Sequence, residues 1–185
     1  MTDHIQRYIT ALQKVDWHDL DQFGFPNDIA SSWVTEQGSL SKRLSAVSCG
    51  IRVEVINNQH MSRQGLTNEE KNLLAEEDCL QREVVLKGLV SEGLEQEWLV
   101  GRTLIPQSSI EAQPFDLVEQ GEVPLGLTLF SADEVERDAM QVGWVYIQGE
   151  TLIARRSRIW VNRKPVLVAE LFLPDSPVYT KGEQS

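Results

Sequence analysis

The sequence predicts an α+β fold: an antiparallel β-sheet with helices packed against one of its faces. Two observations predict it. β-type stretches come in pairs around turn residues, at Glu92-Gly93 and at Asn162-Arg-Lys-Pro165, and strands joined by hairpins run antiparallel. Helix signals gather toward the N-terminal half, which places helices beside the sheet rather than between its strands. The length, 185 residues, is a prior for one domain over 1–185, large enough to bury a core without staples.

The elements follow in order. Ile5, Tyr8, Ile9 and Leu12 recur at helical spacing, so residues 3 to 14 read as an amphipathic helix. Pro26-Asn27 breaks the chain, and a second short helix carries Ile29 and Trp33 on one side. From Leu40 the pattern shifts, and Ile51, Val53 and Val55 alternate as in a strand with one wet side. Residues 57–66 are polar and read as a loop. Thr67-Asn-Glu-Glu70 has capping-box spacing and opens a short helix. Residues 82–90 and 98–106 form a hairpin with a rather long connection. Residues 107–123 show little periodicity, and Pro124 starts a turn of helix ending near Phe130. Residues 151–161 and 166–173 are the strongest strands, and Pro174 and Pro177 stop the sheet. The tail after Tyr179 is polar and expected to fray.

Composition is globular, with 41% hydrophobic and 24% charged residues. The formal net charge of −11 argues against binding nucleic acid or an anionic membrane surface. It leaves room for a small anionic ligand, because a local field can oppose the global sign. No apolar run is long enough to span a bilayer, and the N-terminus has no signal-peptide core. Cys49 and Cys79 do not make a disulfide framework and read as buried apolar residues. The expected compartment is the cytoplasm.

Nucleotide, phosphate-loop, zincin and serine-hydrolase motifs are absent from the sequence. His4, His18 and His60 lack metal-ligand spacing, and the acidic runs Glu69-Glu70 and Glu76-Glu77-Asp78 read as solvated helix faces. Two residues stand out. Glu170 lies inside VLVAELFLP, a strand apolar on both sides of its pleat, where a carboxyl must be paired, hydrogen-bonded or neutral. A buried carboxyl of this kind suits a site acid, and an edge position or a structural ion pair remains the other reading. Arg82 opens an otherwise apolar strand, and a guanidinium is the natural fork for a carboxylate. Arg102, Arg155, Arg156 and Arg158 concentrate cations in the sheet, either at a site or to balance surplus carboxylates. A turn at residues 163 and 164 would set Ser157 opposite Glu170, with Arg155 diagonal on the same face and Arg156 and Arg158 on the other.

Several ordered blocks resemble the chorismate pyruvate-lyase family. They are Trp98-Leu-Val-Gly-Arg-Thr-Leu-Ile-Pro106, Arg155-Arg-Ser-Arg158 with Lys164-Pro165, Glu170-Leu-Phe-Leu-Pro174 with Ser176-Pro177, and Val123-Pro-Leu-Gly126 with Leu129-Phe130. Gly38-Ser-Leu-Ser-Lys-Arg43 resembles a further family segment. The resemblance implies a cofactor-free and metal-free monomeric lyase that converts chorismate to 4-hydroxybenzoate and pyruvate, at the start of ubiquinone synthesis. It implies an antiparallel sheet of about six strands with helices against it and an enclosed ligand cavity. By position, Arg82 would grip the ring carboxylate together with the backbone amides of Leu125 and Leu40, and Glu170 would meet the ring hydroxyl. The family motif carries methionine at the Leu40 position, a change that a main-chain contact tolerates. Glu170 would act either as an acid or as a hydrogen-bond partner in a cyclic transfer. The alternative is a non-catalytic effector-binding domain of the same fold. Such domains follow a basic DNA-binding segment, whereas residues 1–37 hold only Arg7 and Lys14 as basic residues. A lipid-binding α+β protein would leave Glu170 and Arg82 unexplained.

Overall fold

A computed structural model describes residues 3–179; the tail expected to fray lies outside the described residues. In chain order the elements are α1 (Asp3–Leu12), β1 (His18–Asp19), α2 (Asp28–Val34), α3 (Leu40–Ala46), β2 (Gly50–Met61) and α4 (Asn68–Leu73). There follow β3 (Cys79–Ser91), β4 (Leu94–Pro106), α5 (Gln107–Glu111), α6 (Leu125–Leu129), β5 (Val135–Ile147), β6 (Glu150–Val161) and β7 (Lys164–Phe172). The strands form one sheet in the order β1-β5-β6-β7-β4-β3-β2, antiparallel throughout. Six strands are long, and the two-residue β1 adds a short edge. The fold is the expected α+β class, with one strand more than the resemblance implies.

The helices cover both faces, not one. α1 lays Ile5, Ile9 and Leu12 on Val85, Val100 and Leu171 of one face. On the other face α2 and α3 bury Trp33, Val34, Leu40 and Leu44 against Leu86, Leu99 and Phe172. The period-two alternation explains this. Leu171 and Phe172 are neighbours in the chain and point to opposite sides, so both sides of β7 need cover. Local chemistry sets the helix starts. Asn27 Oδ1 accepts from Ala30 N at 2.8 Å, Ser39 Oγ accepts from Lys42 N at 3.2 Å, and Thr67 and Glu70 complete the predicted capping box.

Several boundaries differ from the sequence reading. Residues 40–46 are helical before the strand begins. Residues 57–61, expected in a loop, continue β2, which pairs with β3 as far as Met61↔Cys79 beyond a bulge after Val55. β2 is an edge strand, so its polar residues face water and hide the strand pattern. The β3–β4 connection is short, with Ser91 paired to Leu94 and Gly93 at φ 75°. Pro124 caps α6 instead of starting it. β5 had no counterpart in the sequence reading. It runs through Glu136, Arg137 and Asp138, and a bulge with Ala139 at φ 49° shifts its alternation midway. Glu69 is exposed on α4 as expected, whereas Glu70 is buried and Glu76–Asp78 lie outside any helix. Glu77 and Asp78 accept hydrogen bonds from Ser108 N and Arg63 N. Cys79 is buried as expected, and Cys49 is exposed.

A second irregularity tightens the β3–β4 pair. The register skips Trp98, whose ring lies over Gly88; a Cβ there would come within 2.3 Å of the indole. Beyond the last β6–β7 pair, Ala154↔Leu171, the chain closes on itself through Tyr179. Its hydroxyl donates to Phe172 O and accepts from Ile153 N, both at 2.7 Å. Burial pushes the phenol well above its usual pKa, so it remains a donor at any physiological pH. Tyr179→Phe removes both bonds and leaves two backbone groups without this partner. The expected loss is about 1–3 kcal/mol, read as a lower urea midpoint with unchanged slope.

Candidate functional site

The central strands put a row of inward residues on the α3/α6 side of the sheet. Arg82 on β3 pairs with Thr103 on β4, and Thr103 pairs with Val168 on β7. One pleat along, Val84 pairs with Gly101, and Gly101 pairs with Glu170. Arg82 and Glu170 are therefore two strands and two residues apart, about 12 Å between Cα atoms. Gly101 leaves bare backbone between them. Over this floor lies a small chamber of about 70 Å³. Its walls include Leu40, Ser41, Leu125, Gly126 and Phe130. All four sequence-predicted site residues, Arg82, Glu170, Leu40 and Leu125, line it.

Leu40 and Leu125 each begin a helix, where backbone N–H groups have no intrahelical partner. The two helix starts approach closely. A Cβ on Gly126 would stand 3.3 Å from Ser41 Oγ and 3.5 Å from Ser39 Oγ.

Arg82 is 2% exposed, not a strand-end surface cation. Its Nη2 donates to Gly121 O at 2.7 Å and to Val123 O at 3.4 Å, tying it to the stretch before α6. Its Nη1 is buried without a hydrogen-bond partner. Burial with no carboxylate alongside pulls its pKa down. A buried guanidinium N–H without an acceptor costs free energy, and a carboxylate would remove that cost.

Glu170 is buried and paired. Arg155 Nε donates to its Oε2 at 2.9 Å and Arg155 Nη2 to its Oε1 at 3.3 Å. The turn between β6 and β7 falls on Asn162 and Arg163, both at positive φ, one position earlier than expected. This sets Arg155 directly opposite Glu170 and Ser157 opposite Val168. The faces stand as expected, because the register differs by two residues and not by one. Arg155 is fully buried and also donates to Val34 O and Glu36 O, at 3.2 and 3.1 Å. The other cations of the cluster balance carboxylates: Arg102 pairs with Glu70, Arg156 with Glu69 and Arg158 with Asp138.

Sequence reasoning missed a third arginine. Arg137 on β5 lines the chamber and donates to Gln37 O and Gly38 O, both at 3.1 Å, and to Ser157 Oγ. Burial and the neighbouring Arg155 charge push its pKa down to about 10. Recognising β5 as a strand would have placed it on the chamber face beside Val135. Arg82 and Arg137 against Glu170 give the chamber lining a formal surplus of one positive charge, and Arg155, paired with Glu170 from outside the lining, adds another close by. Glu36, whose carbonyl accepts from Arg155, is engaged through its carboxylate by Arg43 at 3.7 Å.

An antiparallel sheet whose small chamber is lined by a half-free arginine and an ion-paired glutamate defines a class, the α+β proteins with a charged pocket on one sheet face. The chain belongs to the chorismate lyase family, whose model matches residues 11–184. A relative from Vibrio parahaemolyticus serotype O3:K6, named "Probable chorismate pyruvate-lyase", is 49% identical over 174 residues, covering 94% of each chain. The "Chorismate pyruvate-lyase" of Serratia proteamaculans is 38% identical over 152 residues, covering 82% of each. Among solved structures, the C-terminal domain of histidine utilization repressor from Pseudomonas syringae pv. tomato is 16% identical at a TM-score of 0.44. That match covers 73% of this chain and 99% of the other, and a likeness so distant carries no functional weight.

The buried pair makes a stability prediction. Glu170→Ala leaves the Arg155 charge buried and unmatched, at an expected cost of about 3–5 kcal/mol. Replacing both partners by Arg155→Met and Glu170→Leu is expected to recover most of it. Urea melts of the single and double variants check this; a Glu170→Ala midpoint equal to wild type contradicts it.

Proposed function

We propose that this chain is a chorismate pyruvate-lyase, which eliminates pyruvate from chorismate and leaves 4-hydroxybenzoate, the entry step of ubiquinone synthesis. Family membership and the names of the relatives support the reading. The observation that carries it is the unpartnered Nη1 of Arg82, a residue lining a chamber that Glu170 also lines. Chorismate is a dianion with a ring carboxylate and an enolpyruvyl ether, and the chamber's positive surplus complements it.

In this reading Arg82 Nη1 binds the ring carboxylate, with the Leu40 and Leu125 amides completing the cradle. Glu170, its oxygens already accepting from Arg155, accepts once more from the ring hydroxyl. That use suits an acceptor better than an acid, and it favours the cyclic route. The hydrogen on ring C4 passes to the enolpyruvyl methylene, the C3–O bond breaks, and a ring double bond forms between C3 and C4. The ring becomes aromatic, the departing fragment becomes pyruvate, and no atom is left over. The protein supplies orientation and exclusion of water, without a cofactor. The chain works as one domain and as a monomer in the cytoplasm. Two free cysteines and exposed apolar side chains that are only scattered, among the described residues, are in keeping with this.

The test is to incubate the chelator-treated protein with chorismate deuterated at C4. Equal amounts of 4-hydroxybenzoate and pyruvate are expected, with the deuterium in the pyruvate methyl group. Absence of both products overturns the function, and deuterium lost to solvent overturns the cyclic route. Arg82→Ala is expected to weaken 4-hydroxybenzoate binding by about 10- to 150-fold, the worth of a charge-assisted hydrogen bond. Calorimetric titration reads it, and unchanged affinity removes Arg82 as the anchor.

A further inference from the structure

Arg137 is the chamber residue that neither the ring carboxylate nor the ring hydroxyl engages. Three hydrogen bonds, to Gln37 O, Gly38 O and Ser157 Oγ, use three of its five N–H groups. Among the described residues no carboxylate lies within ion-pair distance of it, whereas Arg43, Arg102, Arg155, Arg156 and Arg158 each have one. Phe130 places its ring under the half-buried guanidinium, 5.3 Å from Cζ to the ring centroid. A cation held this way beside Arg155 is electrostatically unfavourable until an anion arrives.

Its place across the sheet says which anion. The strand order β5-β6-β7-β4-β3 puts Arg137 at one side of the chamber floor, Glu170 in the middle and Arg82 at the other side. Arg82 and Arg137 start four strands apart, about 19 Å between backbones, and two inward-reaching arginine side chains narrow that span. A flat ring with its carboxylate at Arg82 and its para hydroxyl at Glu170 carries a substituent next to that hydroxyl toward the β5 side. In chorismate that substituent is the enolpyruvyl ether, which ends in the second carboxylate.

We propose that Arg137 binds the side-chain carboxylate of the substrate and so distinguishes substrate from product. The proposal rests on the lyase reading of the same chamber. Arg137 holds the carboxylate that leaves with pyruvate, and the aromatic product has no group for it. The two outer arginines thus divide the dianion between them. Arg82 retains its partner after the reaction, and Arg137 loses its own.

The test compares two ligands on three proteins: wild type, Arg137→Met and Arg137→Lys. The first reading is kcat/KM for chorismate, and the second is the Kd of 4-hydroxybenzoate. For Arg137→Met, kcat/KM is expected to fall by about 10- to 150-fold, the worth of a charged hydrogen bond, while the product Kd stays near the wild-type value. Arg137→Lys keeps the charge and is expected to recover part of the loss. Parallel loss of both ligands in both variants overturns the proposal, because it marks Arg137 as a strut for Gln37 and Gly38 alone. Unchanged kcat/KM in Arg137→Met overturns it as well. A wild-type protein that forms no 4-hydroxybenzoate fails at the earlier step and brings down the function along with this inference.

Discussion

Two opposite charges cannot be buried in a sheet unless they meet, and that requirement organises this molecule. Arg155 and Glu170 stand directly opposite on β6 and β7, with no water-facing route for the arginine. A slip of one residue would turn one partner to the opposite face. A slip of two would separate them along the strand. Either leaves a bare ion in the interior, at a cost comparable with a large part of a domain's net stability. The pair therefore selects one register for the last hairpin. The Nη1 group of the fork adds a second constraint, since it donates to Val34 O and Glu36 O at the end of α2. The same guanidinium thus positions the segment that leads into Ser39 and Leu40, and so one wall of the chamber.

The chamber inverts the sign of the protein around it. The whole chain carries −11, yet the charged groups lining this space, Arg82 and Arg137 against Glu170, have a positive surplus. Elsewhere in the sheet the arginines are neutralised locally by Glu69, Glu70 and Asp138. On the chamber side Arg82 and Arg137 have no carboxylate within ion-pair distance among the described residues. The low-dielectric surroundings that make this costly also make each contact with an anion stronger than it would be in water.

What the sequence made legible was whatever has a local signature. The hairpins showed through their turn residues, the capping box through Thr67 and Glu70, and the buried carboxyl through an apolar strand on both sides of it. Arg82 and Glu170 could be picked out because each is out of place in its pattern. Arg137 could not, because it lies between Glu136 and Asp138 in a stretch that looks solvated, and the bulge at Ala139 breaks the period that would have shown a strand. The partner of Glu170 was just missed for a related reason. Asn162 and Arg163 form the tight turn with both residues at positive φ, a geometry that Asn favours and Arg does not announce. Cover on both faces was written in β7 itself, whose two sides are equally apolar, but the helices that supply it come from distant parts of the chain.

Arg82 has one planar group and two obligations. Its Nη2 holds the carbonyls of Gly121 and Val123 in the stretch just before the chamber-lining Pro124, and its Nη1 is buried without a partner. A guanidinium cannot rotate one nitrogen without the other, so the aim of the anchor and the placement of that stretch are a single degree of freedom. In the proposed function, an anion docked on one side of that fork would stiffen the other, and its release would loosen the stretch that Arg82 holds.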